Sequence, residues 1–83
     1  MQNELPEKIK LIWDFRGPSA EKIAEHHVVH LKDFIQVEKT SFNITGAEKI
    51  SEMHWLAFMV ISKEEMESLK TILKPQRAQA YLE

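Results

Sequence analysis

The sequence predicts a single α+β domain, in which an antiparallel sheet carries two helices on one of its faces. Three observations predict it: alternation of apolar and polar side chains over residues 8–16, helical periodicity over residues 18–36, and a helix-capping pattern that begins at Ser62. The chain has 83 residues, of which 43% are hydrophobic and 29% are charged. This composition is globular, and the length suits one domain over residues 1–83.

The first strand is predicted over residues 8–16. One of its faces is apolar and carries Ile9, Leu11, Trp13 and Phe15. The other face is mostly polar and carries Lys8, Lys10, Ile12, Asp14 and Arg16. The strand is therefore expected to pack its apolar face against the helices.

A long helix is predicted over residues 18–36, with Pro18 as its first residue, because Gly17-Pro18 ends the strand. At about 100° per residue, the apolar side chains form one sector. That sector consists of Ala20, Ile23, Ala24, Val28, Leu31, Phe34 and Ile35. Val29 points away from the sector, so we expect it to be exposed or to contact a partner.

A hairpin follows the helix. Residues 42–50 form the weaker strand, in which Gly46 is predicted to mark a β-bulge. Residues 53–61 form the stronger strand, and only Ser51-Glu52 separates the two. The short connection favours a tight turn.

The second helix is predicted from a capping box, in which Ser62 is followed three residues later by Glu65. Pro75 is expected to end it at about Leu73. Residues 76–83 alternate weakly, and the sequence leaves open whether they form a fourth strand or a coil.

The strand at 53–61 is apolar on both faces, whereas two helices cover only one face of a sheet. Its second apolar row consists of Leu56, Phe58 and Val60. An exposed row of this kind is typical of an interface. We therefore expect a homodimer that packs sheet face on sheet face. The alternative is that the tail of the chain folds over the sheet.

The β-α-β-β-α order, with a final strand left open, is that of ferredoxin-like domains. Over nearly the whole chain, this pattern resembles the dimeric α/β-barrel proteins. The resemblance is carried by the first strand ending in Trp13-Asp14-Phe15-Arg16, the histidine-containing helix, the hairpin and the capped helix. It implies two sheets paired into a barrel. Some members of that group are small monooxygenases or isomerase-like enzymes that act in a cleft between sheet and helices. No catalytic residue is carried over from them.

Charge and composition exclude several classes of function. The net charge is −2, and basic and acidic residues are spread evenly, so nucleic acid is not expected as a partner. RNA-recognition modules share the element order, but their basic-glycine strand signature is missing before Ala57-Phe58. The chain has no cysteine, which excludes thiolate sites. Without a signal peptide or a long apolar segment, no membrane contact and a cytoplasmic location are expected.

The histidines are the residues that most strongly suggest a chemical function. His26 and His30 lie four residues apart on one side of the predicted helix, a spacing that lets two imidazoles share one divalent metal ion. The third ligand stays open: Asp33 is the nearest carboxylate, and the charge of Lys22 would oppose a cation. The alternative is that these are ordinary surface or partly buried histidines.

A second hypothesis concerns the end of the first strand. Asp14 and Arg16 share its polar face, and His27 or His54 is expected to meet them, since a carboxylate beside an imidazole is a minimal general-base pair. The alternative is an ordinary ion pair worth about 0–1 kcal/mol. The predicted pocket for a small molecule is lined by Trp13, Asp14, Arg16, His27, His30 and His54.

Two classes of function follow. The first is a homodimeric cytoplasmic protein of α/β-barrel type, with a small-molecule or metal pocket lined by histidines. The second is a structural or interaction dimer whose histidines are incidental. The sequence leaves open the identity of the ligand and whether any reaction is catalysed.

Overall fold

A computed structural model describes residues 8–81 of the chain. Its elements, in order, are β1 (Lys8–Arg16), α1 (Ala20–Glu38), β2 (Thr45–Ser51), β3 (His54–Ser62), a 3₁₀ turn (Lys63–Glu65), α2 (Met66–Leu73) and β4 (Arg77–Ala80). The strands form one sheet in the order β2-β3-β1-β4, and all neighbours are antiparallel. The predicted α+β class, with one antiparallel sheet and two helices, is confirmed.

The core lies between the helices and the apolar face of β1 and β3. Buried side chains from all four elements meet there: Leu11, Trp13, Val28, Leu31, Ile35, Ala57, Met59, Ile61 and Leu69. Ile9 and Phe15 pack against this cluster, as the alternation in β1 predicted. Burial of these side chains is the main favourable contribution to folding of so short a chain.

The apolar sector of α1 is narrower than predicted. Its buried residues are Ala20, Ala24, Val28, Leu31 and Ile35. Ile23 is 46% exposed, so its predicted burial is wrong. It lies roughly 60° beyond the edge of that buried stripe, at ~100° per residue. Val29 is exposed, as predicted.

The helix starts two residues later than predicted. Gly17 adopts φ +115°, which favours glycine, and its carbonyl accepts a hydrogen bond from the Ala20 N–H at 3.1 Å. This turn holds Pro18 outside the helix, and Ser19 takes the N-cap position. The prediction that Pro18 is the first helical residue is therefore wrong.

The hairpin is confirmed with shifted bounds, since its turn falls at Glu52–Met53 and β3 begins at His54. The predicted bulge at Gly46 is wrong, because the register shift lies between Lys49 and Ser51. Gly46 instead stands opposite Phe58, whose ring would be 3.1 Å from a Cβ at that position. The glycine makes room for the ring.

The capping box at Ser62 and Glu65 forms with both of its hydrogen bonds. The α2 helix ends at Leu73, as predicted, and Lys74 follows in a left-handed conformation with φ 52°. The open question about the tail is resolved for Arg77–Ala80, which pairs with β1 as β4. Residues 82–83 lie outside the described part of the chain.

The sheet face opposite the helices, here called the open face, is less exposed than predicted. Within a single chain, Ile12 is 1% exposed, Leu56 4% and Val60 0%. Phe58 is half-buried, and the Lys10 ammonium lies 4.5 Å from its ring centroid. The expectation of a fully exposed apolar row is therefore wrong for Leu56 and Val60, and the long Lys10 side chain lies over the ring of Phe58.

Apolar side chains that do remain exposed are scattered over the helices and the β2–β3 hairpin. They are Ile23, Val29, Val37, Ile50, Met53 and Ile72. None of the helices over residues 8–81 has the length and apolar character required to cross a membrane.

Candidate functional site

A polar cluster occupies one end of the open face, and the strand register assembles it. β1 and β3 pair so that Arg16 stands opposite His54, with Asp14 two residues before Arg16 on the same face. On the other side of β1, Arg77 of β4 stands opposite Ile12. Since paired residues of antiparallel strands point to the same side, all four polar side chains share the open face. We call Asp14, Arg16, His54 and Arg77 the polar cluster.

The carboxylate of Asp14 is the centre of the polar cluster. Its Oδ1 lies 2.8 Å from His54 Nε2, and Arg77 donates to both oxygens, from Nε at 2.8 Å and from Nη2 at 3.0 Å. The backbone N–H of Asp14 donates to the side-chain carbonyl of Gln76 at 2.7 Å. The Asp14 and His54 side chains are only 13% and 14% exposed, so the bond between them is largely shielded from water, whereas Arg77 is 48% exposed.

The Arg77 hydrogen bonds hold the pKa of Asp14 far below its usual range. Partial burial opposes this, whereas the His54 hydrogen bond and the charge of Arg77 lower the pKa further. The same contact raises the pKa of Arg77. Asp14 is therefore a fixed negative charge, and it serves to orient its neighbours rather than to exchange protons.

The tautomer of His54 follows from its two neighbours. Arg16 Nη1 lies 3.4 Å from His54 Nδ1, and a guanidinium can only donate. Nδ1 must then accept, which leaves the proton on Nε2, where it is donated to Asp14. A carboxylate that fixes the tautomer in this way leaves the other imidazole nitrogen with a lone pair directed outward.

The polar cluster carries an excess of positive charge, since Arg16 and Arg77 face the single carboxylate of Asp14. These are the only two arginines in the sequence, against nine lysines. Arg77 donates two guanidinium hydrogen bonds to Asp14, whereas Arg16 is exposed and contacts His54 through one nitrogen. Arg16 thus retains donors for an anionic group, and a guanidinium matches carboxylate and phosphate geometry.

His27 lies on the other side of the sheet, among aromatic rings. Its ring centroid is 4.8 Å from that of Trp13 and 5.6 Å from that of Phe15. Its Nε2 is buried and has no hydrogen-bond partner among the described residues. Burial, followed by the charges of His30 and His26, lowers the pKa of His27. His27 is therefore a neutral packing residue in this structure.

His26 and His30 form a third, separate group on the outer side of α1. Both are exposed, and their Nε2 atoms are 3.0 Å apart with the rings nearly perpendicular at 81°. Over residues 8–81, no group of three or more His, Cys, Asp or Glu side chains is arranged to hold a metal ion. The sequence left the third ligand open, and the described residues provide none.

The six residues predicted to line one pocket thus occupy three places. Asp14, Arg16 and His54 come together, Trp13 and His27 pack on the helix side, and His30 pairs with His26. Sequence reasoning missed Arg77 and Gln76, because the tail had no assigned partner. The one available signal was that Arg77 is one of only two arginines.

A groove of about 340 Å³ lies on the helix side, between α1 and the β2–β3 edge. It is lined by Glu25, Val28, Val29, Lys32, Ala47 and Trp55. No histidine lines it, and it lies on the opposite side of the sheet from the polar cluster. We therefore give more weight to the polar cluster, because hydrogen bonds and charge give it a defined chemistry.

No protein-family model matches this chain, and no curated protein or solved structure matches it either.

Proposed function

We propose that this is a small cytoplasmic protein that binds a compact anionic molecule, carrying a carboxylate or phosphate group, at the polar cluster. The observation that carries the proposal is the arrangement of three side chains. His54 Nε2 lies 2.8 Å from Asp14 Oδ1, and His54 Nδ1 lies 3.4 Å from Arg16 Nη1. Arg77 satisfies the charge of Asp14, so Asp14 does not cancel the attraction of Arg16 for an anion.

In this proposal Arg16 is the anion-binding residue. Two parallel N–H donors of its guanidinium would bond a carboxylate or phosphate more strongly than Nη1 alone bonds His54 Nδ1 at 3.4 Å. Movement of Arg16 onto the ligand would then uncover the lone pair of Nδ1. Binding and exposure of a proton acceptor are thereby coupled in one side-chain movement.

His54 would be the proton acceptor for a ligand held in this way. Asp14 orients the ring through Nε2 and would stabilise the imidazolium that forms when Nδ1 takes a proton. Such a pair is sufficient for general-base chemistry on an acidic C–H or O–H next to the bound anion. The proposal does not require a metal ion or another cofactor.

The proposal is tested by titrating the tag-free chain with inorganic phosphate, acetate and malonate while recording backbone and side-chain NMR spectra. Saturable shifts centred on Asp14, Arg16 and His54 are expected. Arg16→Gln should weaken binding at least tenfold, because a charge-assisted bidentate contact is lost. Lys63→Gln is the matched control, since it removes the same charge from an exposed position away from the polar cluster.

Two results would contradict anion binding at this place. The first is a set of spectra in which none of the three probes shifts the polar cluster. The second is equal weakening by Arg16→Gln and Lys63→Gln, which would indicate only non-specific attraction. The first result would favour the alternative function, an interaction protein whose histidines are incidental.

We also propose that the chain is ferredoxin-like and pairs sheet to sheet with a second copy, in the manner of α/β-barrel dimers. The support is the strand order β2-β3-β1-β4 and the two apolar sides of β3. Since Leu56 and Val60 are already buried in one chain, the contact would rest on Phe58 and the neighbouring Lys10–Glu48 pair. Light scattering after size exclusion tests it, and a monomer mass at micromolar concentration would contradict it.

A further inference from the structure

We propose that His26 and His30 form an exposed two-imidazole chelate for a divalent transition-metal ion of tetragonal preference, Cu²⁺ above all and Ni²⁺ next. This site is separate from the polar cluster and does not depend on the proposed anion binding. It is built from one turn of α1, so the helix alone sets its geometry.

The distance between the two Nε2 atoms is the first argument. With metal–nitrogen bonds of about 2.05 Å, a separation of 3.0 Å corresponds to an N–metal–N angle of about 94°. Tetrahedral coordination would need a separation of about 3.3 Å at the same bond length. A separation of this size is compatible with neighbouring positions of a square-planar or octahedral ion, and the general affinity order for imidazole ligands places Cu²⁺ above Ni²⁺.

Access to the nitrogens is the second argument. Both side chains are exposed, so water can fill the remaining coordination positions. The other two histidines of the chain are poorly placed for a cation: His27 faces Trp13 and Phe15, and His54 has Asp14 at Nε2 and the positively charged Arg16 at Nδ1. The chain has no cysteine that would divert a soft metal ion.

The contact between the two rings also prepares the site. At 3.0 Å, one Nε2 carries a proton and donates it to the other. When both Nε2 atoms bind the ion, that proton moves to Nδ1 of the same ring, so the neutral charge of each imidazole is unchanged. The ion replaces a hydrogen bond between side chains that are already held together, and little side-chain ordering remains to be supplied.

The experiment measures Cu²⁺ and Ni²⁺ binding to the tag-free full chain by calorimetry, with the His26→Ala/His30→Ala double variant as the baseline for all other ligands. One ion per chain above that baseline is expected, with Cu²⁺ bound more tightly than Ni²⁺. Either single variant should weaken the site at least tenfold, because the second ligand no longer acts intramolecularly. Both positions are exposed, and circular dichroism checks that the variants stay folded.

Rescue variants test whether metal affinity depends on the spacing of two imidazoles or only on their number. In the His30→Ala background, Lys22→His recreates the four-residue spacing with His26 one turn earlier and should restore more affinity than Lys22→Gln, which removes the same positive charge without adding an imidazole. Glu25→His adds an imidazole next to His26 at a spacing that cannot chelate, so it should not restore affinity. The proposal is overturned by equal recovery in Lys22→His and Glu25→His, by recovery in neither, or by wild-type binding no tighter than that of the double variant.

Discussion

His54 lies on the open face of the sheet, and His27 of α1 packs against the helix face. The surroundings of the two side chains are opposite in character. On the open face, His54 has a partner at both ring nitrogens, Asp14 at 2.8 Å and Arg16 at 3.4 Å. On the helix face, His27 lies between Trp13 and Phe15 and its buried Nε2 has no partner among the described residues. The same side chain therefore has polar contacts at both ring nitrogens on one face and packs against aromatic rings on the other.

This difference shows which face of the sheet can hold a polar site in a domain of this size. The helix face supplies nearly all of the apolar cluster, and a polar group there has little access to water or to charge. The open face is bounded by long charged side chains that can reach one another. The small core thus leaves one end of the open face for a polar site, while the centre of that face remains buried.

The largest expected effect tests whether both faces are equally buried. Leu11 and Ile12 are neighbours in β1 that point to opposite faces, and they are 0% and 1% exposed. We expect Leu11→Ala and Ile12→Ala each to lower the free energy of unfolding by about 2–5 kcal/mol, as for other buried aliphatic residues. Denaturant unfolding measures both, and exposed Val29→Ala is the control, with an expected change within about 0.5 kcal/mol.

A much smaller decrease in the free energy of unfolding for Ile12→Ala than for Leu11→Ala would show that the two faces of the sheet are not equally buried. It would mean that the open face is only loosely covered in a single chain. It would also argue against the sheet-to-sheet dimer, because a second copy on that face would bury Ile12 and keep the loss large.

The next effect concerns the charge at the centre of the polar cluster. We expect Asp14→Asn to destabilise the protein at pH 7 by about 1.5–3 kcal/mol, the range for hydrogen bonds to charged groups. Because the folded-state pKa of Asp14 is lowered, its contribution is complete above the unfolded pKa of about 4 and declines as pH falls below it. Unfolding at pH 7, 5 and 3 should show the difference from wild type shrinking at pH 3.

Asp33→Asn is the matched control for this prediction, since Asp33 is exposed and is the only other aspartate in the chain. Its substitution should change stability little at any of the three pH values. A constant difference between wild type and Asp14→Asn from pH 7 to pH 3 would show that charge is not what Asp14 contributes.

The smallest predicted change in stability is a gain rather than a loss. Replacing His27 by Phe removes a buried nitrogen that has no hydrogen-bond partner within residues 8–81 and keeps an aromatic ring against Trp13 and Phe15. We expect His27→Phe to stabilise the protein by about 1 kcal/mol, seen as a higher melting temperature. His30→Phe, at an exposed position, should give no such gain. A lower melting temperature for His27→Phe would indicate that Nε2 does have a partner in solution.

The fold was largely predictable, because it depends on local periodicity. Alternation identified β1 with its correct bounds, and the capping box identified the start of the second helix. The errors arose where a tertiary contact decided the outcome. Gly46 makes room for Phe58 across the sheet rather than forming a bulge, and Leu56 and Val60 are buried in a row that appears uncovered in the sequence.

The candidate site was predictable only in part. Parity along β1 placed Asp14 and Arg16 on one face, but the choice between His27 and His54 as their neighbour required the register of β1 against β3. Arg77 was not predictable, because 63 residues separate it from Asp14 and the pairing of β4 with β1 brings them together. The conspicuous histidine run of α1 was divided by the helix itself, which turns His27 inward and His26 and His30 outward.

Trp13 connects the two helices in a way that has a practical consequence. Its indole N–H donates to the carbonyl of Leu73 at the end of α2, at 3.1 Å, while its ring contacts His27 of α1. Undocking of either helix would change the polarity around the same indole. In a Trp55→Phe background, the emission wavelength of this single fluorophore therefore reports on the docking of both helices.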